Sequence, residues 1–313
     1  MRNNSKYLLE KIASMYYVEN MNQNEIAENF GISRSNVSRL LKKAREEKVV
    51  DIRINYIIQK EENNFLEITL KKRFGLLEVI IVDSLPSHQE TKEIVAEAAA
   101  EYFDIRVSPD DIIGVTAGTT LELMARKVSV KKKNLSVVSL AGSVDHRYVP
   151  FLSQEIQRRI INNVGGHSYM INAPIVMSSK TLVDKIFVES GVRETTKMFN
   201  KIRRAFLGIG VINLQHPFLG MFSDREFTFI QNEAVGNIGT LFFNIKGEIV
   251  CSNITEKTVG IRKDELMDIP NRIGIASGKN KAEAILGSIR SKLINILITE
   301  YDIGEILLDS KSS

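Results

Sequence analysis

One short stretch, residues 33–45, carries Ser33, Arg34, Ser35, Asn36, Ser38, Arg39, Lys42, Lys43 and Arg45. Those side chains suit contact with nucleic acid. Arginine can pair bidentately with guanine and asparagine with adenine, while serine serves a base or a phosphate. Lysines further along a helix meet backbone phosphates, which adds affinity and little sequence information. Gln23, opening the helix before, supplies another amide at the same surface. Between Arg34 and Lys48 six basic residues stand against two acidic ones. A charge run on a helix is ordinarily only a solvated face, so the local pattern has to decide.

That pattern is specific. Asn22-Gln23-Asn24-Glu25 has the spacing of a capping box, with Asn22 as N-cap and Glu25 reaching back. Ile26, Ala27 and Phe30 then follow at helical spacing, and Gly31 ends the helix in the left-handed conformation open to glycine. Ile32 is expected as the buried plug of the turn, and Ser33 as the next N-cap. The second helix turns Val37, Leu40, Leu41 and Ala44 inward and its polar residues outward. Small Ala27 at the crossing and Gly31 in the turn complete a helix-turn-helix. Tyr7–Met21 supplies a supporting helix, and the alternation of Val49–Tyr56 predicts the strand of a small wing.

A second chemistry lies in Gly114-Val115-Thr116-Ala117-Gly118-Thr119-Thr120. A strand ends near Thr116, Gly118 permits a tight turn, and Thr119 and Thr120 open a helix. Amide groups and two hydroxyls then converge on the positive end of a helix dipole, an arrangement suited to a phosphate. No Gly-Lys-Ser/Thr follows, and GxGxxG is not matched. Further glycine-bearing strand ends occur at Gly142, at Gly208 and Gly210, and at Ser277-Gly278-Lys279-Asn280-Lys281. Lys279 or Lys281 there could hold an anion as a point charge. These strand ends together predict one shared cleft for an anionic ligand.

The elements that would position this cleft can be outlined. Gln59–Asn64 is polar and reads as a boundary, giving a head of residues 1–58 and a body of residues 59–313. Phe65–Phe74 is helical in period, with Phe65, Ile68 and Lys72 on one side, and is expected to connect the two and help dimerise the chain. Strands are expected at Glu78–Val82, Ile112–Val115, Leu135–Leu140, Ser168–Asn172, Ala205–Gly208, Arg272–Ala276 and Asn295–Ile298, with helical segments between. Such alternation means a mostly parallel sheet with helices on both faces. Leu241–Val250, with Lys246-Gly247 between apolar runs, reads as an inserted hairpin.

Composition removes other classes. The 313 residues include 43% apolar and 26% charged side chains, an ordinary globular mixture. Cys251 is the sole cysteine, and the four histidines show no ligand spacing, so neither a disulfide nor a structural metal is expected. The longest apolar runs fall far short of the ~18 residues of a membrane span, and the N-terminus lacks a signal-peptide pattern. A cytoplasmic location is expected. The formal net charge is +4, of which +3 (nine basic and six acidic groups) lies in residues 1–50. A modest total of that kind argues against a non-specific nucleoid-type binder.

The head, linker and Gly-Thr-Thr body together resemble the SorC family of bacterial sugar-responsive transcriptional regulators, on the side of the deoxyribonucleoside regulators. The resemblance covers nearly the whole chain and is strongest in Gln23–Ala44, Gly114–Leu121, Glu233–Gly247 and Ser277–Ile289. It implies an α/β fold, with a winged helix-turn-helix head and a Rossmann-like effector domain similar to sugar-phosphate isomerases and deaminases. It also implies a phosphorylated sugar as effector, and homodimers or homotetramers on operator DNA. Matching the family's phosphate-binding turn gives Gly118, Thr119 and Thr120, and its later lysine falls on Lys281. Two positions depart. Ala141 stands where some deoxyribonucleoside regulators carry a Schiff-base lysine, and Asn237 stands where an acidic residue is frequent. Covalent capture at position 141 is therefore not expected, and Asn237 can still hydrogen-bond a sugar hydroxyl.

The expected function is ligand-controlled DNA binding without catalysis and without a cofactor. Gln23, Ser33, Arg34, Ser35, Asn36, Ser38, Arg39, Lys42 and Lys43 face DNA; Gly118, Thr119, Thr120, Gly142, Gly208, Gly210, Asn237 and Lys281 face the effector. The competing expectation is a phosphosugar isomerase or deaminase with a fused DNA-binding head, which needs a general base; Asp145-His146 is the pair that could supply one.

Overall fold

Asn22 shows how local chemistry sets the first unit. Its Oδ1 accepts the N–H groups of Asn24 and Glu25 at 3.0 and 3.1 Å, while Glu25 Oε2 accepts the Asn22 N–H at 2.8 Å. This box starts helix α2 (Gln23–Phe30), which lies between α1 (Arg2–Tyr17) and α3 (Arg34–Glu46). Gly31, at φ +62°, ends α2, and Ser33 Oγ accepts the Asn36 N–H to begin α3. Ile12, Ile26, Ala27, Val37 and Leu41 are buried together and hold the three helices. Ile32, expected to be buried, is half-buried; the helices themselves fill the small core and leave the turn residue at its rim.

The computed structural model describes residues 2–47, 49–50, 61–129, 134–144, 153–213 and 218–310. Most of the expected wing strand, residues 51–56, lies outside them. Val49 and Val50 donate to the Ala44 carbonyl and so close the end of α3. The chain divides into two compact units, Met1–Ile58 and Gln59–Ser313.

The second unit begins with α4 (Glu61–Phe74), so the polar stretch expected as a boundary is already helical from Glu61. Then follow β1 (Glu78–Val82), α5 (His88–Arg106), β2 (Ile112–Val115), α6 (Thr119–Lys127), β3 (Ser136–Ser139), α7 (Ser153–Val164) and β4 (His167–Tyr169). The short helices α8 (Lys180–Val188) and α9 (Ser190–Thr196) lead to β5 (Arg204–Val211). After α10 (Asp224–Glu233) come three small strands, β6 (Gly236–Ile238), β7 (Leu241–Phe243) and β8 (Ile249–Val250). The chain closes with α11 (Ser252–Thr255), α12 (Lys263–Met267), β9 (Asn271–Ile275), α13 (Ala282–Arg290), β10 (Ile296–Glu300) and α14 (Tyr301–Asp309).

The strands lie in the order β1-β10-β9-β5-β2-β3-β4, every neighbouring pair parallel. Strand β5 is long enough to serve twice. Residues 204–208 belong to the parallel sheet, while Ile209, Gly210 and Val211 pair antiparallel with β6. Alternation along β5 sends Ala205, Leu207 and Ile209 into one core, shared with α4, α13 and α14; Phe206 enters another, shared with α5, α6 and α7. The sheet is thus covered on both faces, as a buried parallel sheet must be. From β2 the chain proceeds to β3 and β4 on one side, while β5 lies on the other. The sequence order reverses between β2 and β5, and a crevice opens there beyond the carboxyl ends of the strands.

Candidate functional sites: a cavity at the strand ends and a polar helix face

In the first unit, α3 separates its two faces. Val37, Leu41 and Ala44 are buried, whereas Ser33, Arg34, Ser35, Ser38, Arg39, Lys42 and Lys43 are exposed and Asn36 and Gln23 are half-exposed. Arg39 Nη2 donates to Asn36 Oδ1 at 2.9 Å, fixing the asparagine so that its NH2 group points away from the arginine. Lys42 and Lys43 make long i,i+4 pairs with Glu46 and Glu47, at 3.9 and 3.6 Å. Exposed pairs of this kind are worth only about 0.3–0.5 kcal/mol, so a phosphate can displace them. The face offers base-reading groups at its N-terminal end and cations further along.

In the second unit, a cavity of about 390 Å³ opens beyond β2, β3, β5 and β9. Gly118, Thr119, Thr120, Gly142, Gly208, Gly210, Asn237 and Lys281 all line it. Close packing explains two of the glycines. A Cβ on Gly208 would stand 2.5 Å from the Ala117 carbonyl oxygen, and one on Gly142 would stand 2.6 Å from that of Ala173. The β5 backbone can therefore approach the turn after β2 only without a side chain. Thr116 Oγ1 fastens that approach by accepting the Gly208 N–H at 2.9 Å. Helix α6 starts at Gly118 without a side-chain cap, so its first amide groups are presented to the cavity.

Lys281 enters from the opposite side, donating through Nζ to the Ile209 carbonyl at 3.1 Å. Its pKa is pushed down to about 8, first by burial and then by the neighbouring charge of Lys92, with Glu300 acting in the other direction. Lys279 is elsewhere: it is exposed and pairs with Asp302 at 2.8 Å. Of the two lysines considered from sequence, Lys281 alone lines the cavity. Asn237 Nδ2 donates to the Gly239 carbonyl at 2.9 Å, while its Oδ1 and Ser277 Oγ are buried without a hydrogen-bond partner. Buried polar atoms of this kind call for a partner, and both border the cavity. Ala141 presents only a methyl group to it.

Several lining residues were not singled out from sequence. His88 and Lys92 arrive on α5, and Ile175 and Phe218 form an apolar wall, Phe218 stacking on Phe242 with centroids 5.8 Å apart. A helix following a strand starts at the ligand-binding edge, which is the signal that would have found His88 and Lys92. Among the described lining residues there are two lysines, one histidine and no carboxylate. Asp145-His146 lies outside the described residues. Among the described residues no cluster of three or more His, Cys, Asp or Glu could hold a metal, and no helix is long and apolar enough to cross a membrane.

Comparison with known proteins adds independent information. Residues 59–309 match the Sugar-bind family, a sugar-binding domain, and residues 11–47 match sigma-70 region 4. The sorbitol operon regulator of Klebsiella pneumoniae is 29% identical over 96% of this chain and 97% of its own. The deoxyribonucleoside regulator of Bacillus subtilis is equally 29% identical, over 95% and 96%. Among solved structures, the full-length sorbitol operon regulator SorC of K. pneumoniae superposes with a TM-score of 0.76 at 27% identity, covering 97% of this chain and 98% of that one.

Proposed function

Because this chain belongs to the SorC family of sugar-binding transcriptional regulators and is not an enzyme, we propose that its effector is a phosphorylated sugar held in the strand-end cavity. One observation carries the reading: two lysines and an uncapped helix N-terminus face a cavity whose described lining has no carboxylate. Such a site favours an anion, and its volume suits a small metabolite. Gly118, Thr119 and Thr120 take the phosphate through amides and hydroxyls, with Lys281 as counter-charge. Asn237 Oδ1 and Ser277 Oγ accept or exchange hydrogen bonds with sugar hydroxyls, Gly142 and Gly208 keep the backbone close, and Gly210 lines the cavity beside them.

The α3 face reads operator DNA: Arg34, Ser35, Asn36 and Arg39 at base edges, with Gln23, Ser33, Ser38, Lys42 and Lys43 at bases or phosphates. The protein acts in the cytoplasm as a homodimer or homotetramer, so that paired heads meet paired half-sites. Effector binding shifts the balance between subunit arrangements that fit those half-sites differently, since only differential affinity moves an equilibrium.

Thermal unfolding against a panel of phosphosugars and their unphosphorylated parents tests the cavity. A ligand at ~100 times its Kd adds about 2.7 kcal/mol to stability. A melting shift from a phosphosugar, absent with its parent and lost in Thr119→Glu, is the expected result. Shifts of equal size from phosphorylated and unphosphorylated forms would remove the phosphate from the account.

A further inference from the structure

Helix α4 has two faces that the fold uses differently. At 3.6 residues per turn, Asn63, Leu66 and Leu70 share one side, and all three are buried. Leu66 and Leu70 border Gly304 of α14, where an added Cβ would meet them at 3.1 and 3.7 Å. On the opposite side, Glu61, Phe65, Ile68 and Lys72 fall within an arc of about 60°. Glu61 and Lys72 are exposed, and the two large apolar side chains between them keep 64% and 61% of their surface in solvent. Scattered exposed apolar residues need no explanation, but two on adjacent turns, flanked by opposite charges, form a pattern.

We propose that this face is the contact between two copies of the chain, which pair α4 against α4 in antiparallel fashion about a two-fold axis. The register follows from the spacing. With the axis midway between Phe65 and Ile68, Phe65 of one copy meets Ile68 of the other, and Glu61 meets Lys72, each pair occurring twice. An isologous contact requires this self-complementarity, and the 4-3-4 spacing of the four residues is that of a helix-pairing seam.

Charge selects the direction. The start of α4 is acidic, with Glu61 and Glu62, and the groove beside Phe65 is completed by Glu305 and Asp309 of α14. The far end of α4 carries Lys71, Lys72 and Arg73. Arg73 is committed within the chain, donating to the carbonyls of Leu308 and Ser310. Lys71 and Lys72 are exposed. A parallel pair would set like charges together at both ends, whereas the antiparallel pair lays these lysines along the partner's acidic groove. The inference rests on the reading that the regulator works as an oligomer and names the surface that makes it one. It is independent of the effector's identity.

Sedimentation velocity of the full chain over a range of concentrations tests it by charge exchange. Glu61→Lys and Lys72→Glu should each weaken association by about tenfold or more, because each places like charges at both ends of the pair. An equimolar mixture of the two variants should associate again, since a mixed pair sets a lysine against a glutamate at both ends. Phe65→Asp with Ile68→Asp should halve the sedimenting mass while leaving the melting of the described fold in place, because both positions are exposed. A monomeric native chain would overturn the oligomer reading and this surface together. An oligomer that persists in every variant, or single variants that weaken without rescue on mixing, would overturn this surface alone.

Discussion

Lys281 holds its ammonium in a cavity where burial and the charge of Lys92 both disfavour it, and its pKa of about 8 records the balance. The folded value lies below the 10.5 of an unperturbed lysine, so the charged form destabilises the empty fold below about pH 8. That penalty fades as pH rises from about 8 towards 10.5. A phosphate bound as proposed would reverse the preference. Above pH 8 the bound complex must take up a proton at Lys281, so the dissociation constant should climb towards about tenfold per pH unit. Below about pH 6 the phosphate itself loses its second charge. Calorimetric titration should therefore find tightest binding between these limits, and a profile flat from pH 7 to 9.5 would contradict the role of Lys281. Lys281→Met should bind the phosphosugar at least about tenfold more weakly, yet melt higher than the native chain when empty at pH 7. Gly118, Gly142, Thr119 and Thr120 were legible in sequence because each follows a strand or opens a helix, whereas Lys281 was separated from Lys279 only by the family resemblance. Gly208 and Gly210, expected to close a strand, lie inside β5, which runs on to Val211 to pair with β6. Lys92 and His88 were passed over although their helix follows a strand; what the sequence does not carry is their closeness to Lys281, which depends on β1 lying beside β10, strands separated by more than 200 residues of chain.

In the proposed function helix α3 carries the specificity on its exposed surface, and its buried side is independent of that surface. Arg34 is exposed, and Asn36 is half-exposed with its side chain engaged by Arg39. Arg34→Ala with Asn36→Ala should therefore leave thermal unfolding nearly unchanged while weakening operator binding by about 1–3 kcal/mol per lost base contact. A gel-shift series in which operator affinity survives the double variant would move the reading surface elsewhere. Helices α2 and α3 of the head could be read from sequence because the capping box at Asn22, the Ser33 cap, the αL glycine and the apolar spacing agree, whereas the supporting helix, expected at Tyr7–Met21, is α1 at Arg2–Tyr17. Elsewhere in the chain the agreement fails. β6 is three residues, Gly236–Ile238, too short to show a period, and is defined by its pairing with the far half of β5. Helix α10 did carry a capping box, Ser223 to Glu226, but buries only Ile230, so its apolar face was too narrow to stand out. Beyond α9 the chain makes a separate 3-10 turn at Phe199–Lys201, which seats Phe199 in the core and is too short to show a period.

In the whole molecule a sugar-binding domain and a DNA-reading head share one chain, and the proposed function requires a coupling free energy between them. Such couplings run to about 1–3 kcal/mol, or roughly 5–150-fold in affinity, and they are reciprocal. The order of the strands along the sheet was beyond sequence reading, since it rests on pairings between distant segments; the parallel, two-faced character was within it, because apolar strands alternate with helical segments. The most direct measurement is fluorescence anisotropy of an operator duplex, selected from a random pool by the full chain and titrated in the presence and absence of the phosphosugar that shifts the melting temperature. The native chain should change its operator affinity about tenfold or more when the phosphosugar is present. Thr119→Glu should keep the ligand-free affinity and lose the response. An operator affinity that no phosphosugar alters, or a Thr119→Glu chain that responds like the native one, would contradict the claim that this cavity governs the reading head.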